Sequence, residues 1–210
     1  MLNFGFNKLR SNGGAIVLRA LKNNTALRYL DISGNQIEAA GLEGIGDAIG
    51  NRSDGLTYLN LGQNGINDVG FHKLAVAMLN NSAMQHLLLN LYNHISDAIV
   101  SDLVELILKR RTTALKLLDL SGNNLSERAV SEILKALNWR LQRSLAPVQV
   151  DLKGNNLSAN LIGELDIVYK QSVKRFNDIL INSTLRESHI TNNIAVDYSK
   201  DEFSPNHDAI

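Results

Sequence analysis

One asparagine recurs at a nearly fixed interval along the chain, and this interval constrains the fold more than any other feature. Asparagines at positions 7, 35, 64, 93, 123, 155 and 193 share one local frame, with spacings of 28, 29, 29, 30, 32 and 38 residues. Two frames read Leu27-x-x-Leu30-x-Ile32-x-x-Asn35-x-Ile37 and Leu56-x-x-Leu59-x-Leu61-x-x-Asn64-x-Ile66. Two more read Leu115-x-x-Leu118-x-Leu120-x-x-Asn123-x-Leu125 and Pro147-x-x-Val150-x-Leu152-x-x-Asn155-x-Leu157. Self-similarity at such a period marks an array of supersecondary units. Each unit buries its apolar face only against its neighbours.

The remaining copies depart from the frame. Met84-x-x-Leu87-x-Leu89 carries one extra residue before Asn93 and Ile95. That insertion predicts a bulge at Leu91-Tyr92 with Tyr92 on the rim. Leu185-x-x-Ser188-x-Ile190-x-x-Asn193-x-Ala195 is degraded, with serine at an apolar rung. The opening Leu2-x-Phe4-x-x-Asn7-x-Leu9 is the last two-thirds of the motif. It predicts a lost N-terminal part or a shortened, poorly capped first unit, with an apolar edge at Leu2 and Phe4.

Each L-x-L segment is a short strand whose alternate side chains enter the core. A buried asparagine amide would satisfy backbone groups where the chain leaves the strand. Stacked units would form a ladder of Asn7, Asn35, Asn64, Asn93, Asn123, Asn155 and Asn193. Between strands the pattern turns helical. Val69, Leu74, Met78 and Leu79 fall near one face, as do Val130, Ile133, Leu134 and Leu137. Ser96 with Asp97, and Ser126 with Glu127, stand where N-caps and first-turn acids belong. A last helix, with Leu161, Leu165, Val168, Ser172, Phe176 and Ile179 near one stripe, is expected to support a weak final strand.

These repeats resemble the leucine-rich repeat family, specifically its ribonuclease-inhibitor-like subtype. The resemblance implies an α/β right-handed solenoid, or horseshoe, of six to seven repeats, with a parallel inner sheet and outer helices. The repeat domain is expected over 1–195 and a polar C-terminal tail over 196–210. The resemblance also makes the concave sheet face the usual binding surface. Here its rows read Tyr29, Tyr58, His86, Leu117, Gln149 and Glu187, then Asp31, Asn60, Leu88, Asp119, Asp151 and His189. A third row is Ser33, Gly62, Asn90, Ser121, Lys153 and Thr191. Tyr29, Asp31, Tyr58, Asn60, His86, Leu88, Leu117, Asp119 and Asp151 are the expected partner-contacting residues, with Leu88 and Leu117 expected to be exposed. The adjacent Asp119 and Asp151 could receive a cation from a partner.

Composition narrows the partner. Twenty-one basic residues balance twenty-one acidic ones, which argues against nucleic acid or an anionic membrane as the ligand. The absence of cysteine excludes disulfides, thiolate catalysis and Cys zinc sites. With no signal peptide at the start, six N-x-S/T sequons read as by-products of the asparagine-rich repeat, and the cytoplasm is the expected location. Lys109, Arg110, Arg111, Arg140 and Arg143 end helices, where the dipole favours cations, and are read as a solvated face.

No catalytic motif is present: neither a P-loop, nor H-E-x-x-H, nor G-x-S-x-G. His72, His94 and His207 have no acid and nucleophile at motif spacing. No cofactor or metal site is expected. The chain therefore reads as a non-enzymatic module that binds a protein partner, as scaffold or stoichiometric regulator. The resemblance admits a bacterial effector acting in a host cytosol. Alternatives are a structural arm of a larger protein, self-associating through the N-terminal edge, and a GTPase-activating regulator.

Overall fold

A computed structural model describes residues 1–50 and 53–197, with side chains up to residue 183. Six strands form one sheet in chain order: β1 (Leu2–Asn3), β2 (Tyr29–Asp31), β3 (Tyr58–Asn60), β4 (His86–Leu88), β5 (Leu117–Asp119) and β6 (Gln149–Asp151). Every pair is parallel, and the register sets Tyr29 beside Tyr58, Tyr58 beside His86, and Leu88 beside Asp119. The strands from β2 onward are three residues long with only the middle residue buried. Leu30, Leu59, Leu87, Leu118 and Val150 therefore enter the core, followed by Ile32, Leu61, Leu89, Leu120 and Leu152. This is the alternation of a sheet with one covered face.

Helical segments cover that face. They are α1 (Arg10–Arg19), a 3₁₀ turn (Ala40–Gly44) leading into α2 (Ile45–Ile49), α3 (Asp68–Met78) and α4 (Val100–Asp102). A π-helical stretch (Leu103–Leu108) continues α4, and α5 (Glu127–Gln142) and α6 (Ala159–Asp197) follow. In α5 the residues Val130, Ile133, Leu134 and Leu137 are buried as their spacing predicts. In α3 the face is rotated from expectation. Phe71, Leu74, Ala75 and Met78 are buried, while Val69 is exposed in the first turn. Gly41 and Gly44 let the 3₁₀ turn of the second unit lie against α1: a Cβ on Gly44 would stand 2.7 Å from the Arg19 backbone nitrogen.

The asparagine ladder links units. Asn64 Oδ1 accepts from the Asn35 and Ile37 amides at 2.9 and 3.3 Å. Its Nδ2 donates to the carbonyls of Ile32, Leu61 and Gly62 at 3.0–3.2 Å. Asn35, Asn93, Asn123 and Asn155 repeat the arrangement and are buried, each reaching into the preceding unit. Asn7 is exposed, and its side chain donates to the Gly5 carbonyl at 3.0 Å. The residue before each ladder asparagine has positive φ: Phe6, Gly34, Gln63, Tyr92, Gly122 and Gly154.

A second ladder joins helix starts. Ser96 Oγ donates to Asp68 at 2.7 Å, and Ser126 Oγ donates to Asp97. Ser96 also caps its own helical segment by accepting from the Ala98 amide at 3.3 Å. Ser126 stands at the N-cap of α5 without a capping bond, its hydroxyl donating to the previous unit.

The seventh unit differs from expectation. Residues 185–195, including Asn193 and the row positions Glu187, His189 and Thr191, lie in the continuous helix α6. No glycine or proline occurs between 164 and 204 to end that helix. The helix also takes the place of another strand, since Ile162, Leu165 and Asp166 line one cleft with Gln149–Lys153 of the last unit. Leu165, Val168 and Ser172 are buried, whereas Ile179 is exposed. Of the expected tail over 196–210, Val196 and Asp197 close α6, and residues 198–210 lie outside the described part.

Candidate interaction surface

On the helix-free face of the sheet, the rows assemble as the register dictates. Tyr29 and Tyr58 stack with centroids 4.2 Å apart and planes 13° from parallel, and His86 follows Tyr58 at 6.0 Å with a 42° tilt. Burial in this stack, hydrogen bonding with Tyr29 and the charges of Tyr29, Asp31 and Asp119 push the Tyr58 hydroxyl up to about 12. Leu117 and Gln149 complete the row, and all five residues are half-buried. Leu88 and Leu117 are thus less open than expected. Adjacent strands lie about 4.8 Å apart, so their neighbours shade them.

The middle row has a structural duty that spacing alone did not reveal. Asn3, Asp31, Asn60, Asp119 and Asp151 each accept, through Oδ1, the amide two residues on, at 2.8–3.0 Å. These Asx turns close the exit from each strand. Asn60 Nδ2 also donates to Asp31 Oδ2 at 3.1 Å.

Leu88 is the exception in that row, since its side chain cannot accept a hydrogen bond. Its unit is the one with the inserted residue, and there Leu91 and Tyr92 both adopt positive φ, 49° each. Leu91 lies over Gly122, whose added Cβ would meet Leu91 Cδ2 at 2.7 Å. Tyr92 is 74% exposed on the rim. Asp119 and Asp151 are paired neighbours across β5 and β6, and Lys153 Nζ lies 3.7 Å from Asp151.

The basic residues divide. Arg143 lies over the Trp139 ring at 4.2 Å. Arg140, expected on a solvated face, is 2% exposed. Its guanidinium donates to the carbonyls of Leu108, Arg110 and Ala146 at 2.6–2.7 Å, and burial pulls its pKa down to about 10. It closes the C-terminal end of the preceding unit's π stretch. One signal was present in the sequence: Arg140 follows Ile133 and Leu137 on the buried stripe of α5. Asn81, also buried, was missed. It accepts from the Ala83 and Met84 amides and donates to Ile49, and Asn24 accepts from Ala26 and Leu27 in the same way.

On the helical side, His72 Nδ1 lies 2.8 Å from Asp102 Oδ2, which ties α3 to α4. Among the described residues no group of three or more His, Asp or Glu is placed to hold a metal ion. Among them, too, no helix is long and apolar enough to cross a membrane.

Comparison with known proteins agrees with this geometry. Residues 23–46 and 56–75 match a family described as Leucine Rich repeat, and residues 114–136 match a second description, Leucine Rich Repeat. Those segments are leucine-rich repeats, and the molecule is an α/β leucine-rich repeat solenoid. Among solved structures it is similar to leiomodin-1 actin-binding site 2, at 13% identity and a TM-score of 0.51 over 89% of this chain and 87% of that one. At this identity the likeness is one of fold. No curated protein matches the sequence.

Proposed function

We propose that this chain is a protein-interaction module of the ribonuclease-inhibitor-like subtype that presents its concave sheet face to a protein partner. Leucine-rich repeats generally mediate protein–protein interaction. The observation that supports this face is the stacked run Tyr29, Tyr58 and His86, beside the half-buried Leu88 and Leu117. Aromatic side chains with polar tips are enriched among binding hot spots. Asp31, Asn60, Asp119 and Asp151 frame the run, and Tyr92 extends it to the rim. Rigid strands hold these side chains before the partner arrives, so binding would act by shape complementarity, as a scaffold or a stoichiometric regulator. A host-cytosol effector is one setting for such a module.

The test is affinity capture with the wild type and with a Tyr29→Ala, Tyr58→Ala, Leu88→Ser variant whose fold is verified by circular dichroism. One protein held by the wild type and lost by the variant supports the reading, and unchanged capture sinks it.

A second reading, a repeat arm that pairs through its N-terminal edge, is favoured by β1. Leu2 and Phe4 there are 42% and 37% exposed, and unpaired edges associate. Sedimentation of wild type against Leu2→Lys, Phe4→Lys separates a self-associating edge from an inert one.

A further inference from the structure

The class of partner can be narrowed, on the reading that the concave face binds. Two acids on that face, Asp31 and Asp119, have no cation partner among the described residues, whereas Asp151 has Lys153. The bonds they do make are to neutral donors: Ser33 and Asn60 for Asp31, Ser121 for Asp119. They stand on β2 and β5, in register through β3 and β4. Three strand intervals of about 4.8 Å separate them by about 14 Å along the sheet. Midway sit Asn60 and Leu88, with Tyr58 and His86 alongside. The row is therefore charged at both places and carries one apolar residue, Leu88, beside its middle.

An extended chain lying across the strands repeats that pattern. Alternate side chains share one face, and residues i and i+4 are about 13.6 Å apart. A helix offers same-face positions about 10.5, 12 or 16.5 Å apart, at i+7, i+8 or i+11, each a poorer match than the extended chain. We propose that the concave face binds an extended basic segment of a protein, with arginine or lysine at i and i+4 engaging Asp31 and Asp119. An apolar residue at i+2 rests on Leu88, beside Tyr58 and His86. Charge complementarity sets the orientation, and the Leu88 exception supplies the apolar seat.

The variants that test this are already sanctioned by the fold. Asn3 and Asn60 hold the same turn position as the two aspartates and make the same Oδ1 bond to the amide two residues on. Asp119→Asn therefore removes charge while keeping the turn, and Asp31→Asn does so while also giving up the bond from Asn60 Nδ2. The experiment is fluorescence anisotropy of the full chain with a labelled peptide Ser-Arg-Ser-Leu-Ser-Arg-Ser. Controls are a peptide with the two arginines adjacent, one with glutamate in place of arginine, and a helical one with arginines seven residues apart.

The expected result is binding of the first peptide, weakened about tenfold by either single variant and weakened again by salt. No binding, equal binding of the adjacent-arginine peptide, preference for the helical peptide, or indifference to Asp119→Asn would each overturn the inference. The capture experiment keeps the two readings apart. If the Tyr29→Ala, Tyr58→Ala, Leu88→Ser chain loses a protein partner while the peptide fails, the concave-face reading stands and the basic segment falls. If that chain keeps both partner and peptide, both fall.

Discussion

The buried ladder and the exposed rows occupy the same short strands and turns, yet they obey opposite rules. Along the ladder the same side chain recurs in unit after unit, because each amide must satisfy the same carbonyls and amides of its own unit and the one before. Along the rows the residue changes from tyrosine to histidine to leucine to glutamine, since nothing in the core requires a particular side chain there. Uniformity therefore marks stability, and departure from uniformity marks the surface free to vary for a ligand. The middle row lies between the two: its Asx residues repeat for the turn, and Leu88 breaks the series.

The sharpest way to break this comparison is Asn64→Ala. It orphans two buried amides and takes one of two donors from each of three carbonyls, so stability should fall by about 3 kcal/mol. Partner capture by the remaining folded protein should be unchanged. Urea unfolding measures the first and capture the second. Arg140→Ala comes next. Its three carbonyl partners lose a charged donor, for an expected loss of about 2 kcal/mol, again without effect on the concave face.

Gly122→Ala probes the inserted turn. A side chain at φ +63° under Leu91 should cost about 1 kcal/mol, visible as a lowered urea midpoint. It should also disturb Leu91 and Tyr92, read as altered Tyr92 fluorescence in a chain whose other tyrosines are phenylalanine.

The smallest effect belongs to Tyr58→Phe. The folded state holds the Tyr58 proton up to about 12, against the ordinary 10.0. The unfolded chain releases it first, so wild-type stability falls as pH rises from 10 toward 12. Arg140, whose pKa burial pulls down to about 10, is common to both chains. Comparing wild type with Tyr58→Phe cancels the arginine. The wild type should lose stability relative to the variant above pH 10, and parallel curves would remove Tyr58 from the account. At neutral pH the two should differ little.

Much of the fold was legible because its causes are local. A period near 29 residues, an L-x-L alternation and an asparagine at fixed phase suffice to place six strands and five buried ladder residues. The rows followed from the same register, so Tyr29, Tyr58 and His86 could be set side by side before any coordinates. The Leu91-Tyr92 bulge was legible for the same reason, as one residue too many between fixed points.

What the tertiary structure decided depends on neighbours that a local pattern does not contain. Residues 185–195 carry a weakened motif in a stretch without a helix breaker, and they continue α6, whose first turns line a cleft with β6. Arg140 looks like a solvent-facing cation at a helix end, but the carbonyls it serves belong to residues up to 32 positions away. Leu88 and Leu117 are apolar on an outward row, and only the flanking strands shade them to half burial. Whether Asp31 and Asp119 are free to receive a charge is equally a matter of neighbours: lysine stands beside Asp151 and not beside them. Sequence period fixes which residues share a row. Burial and electrostatics are sums over everything that folds against the row, and these exist only once the units have stacked.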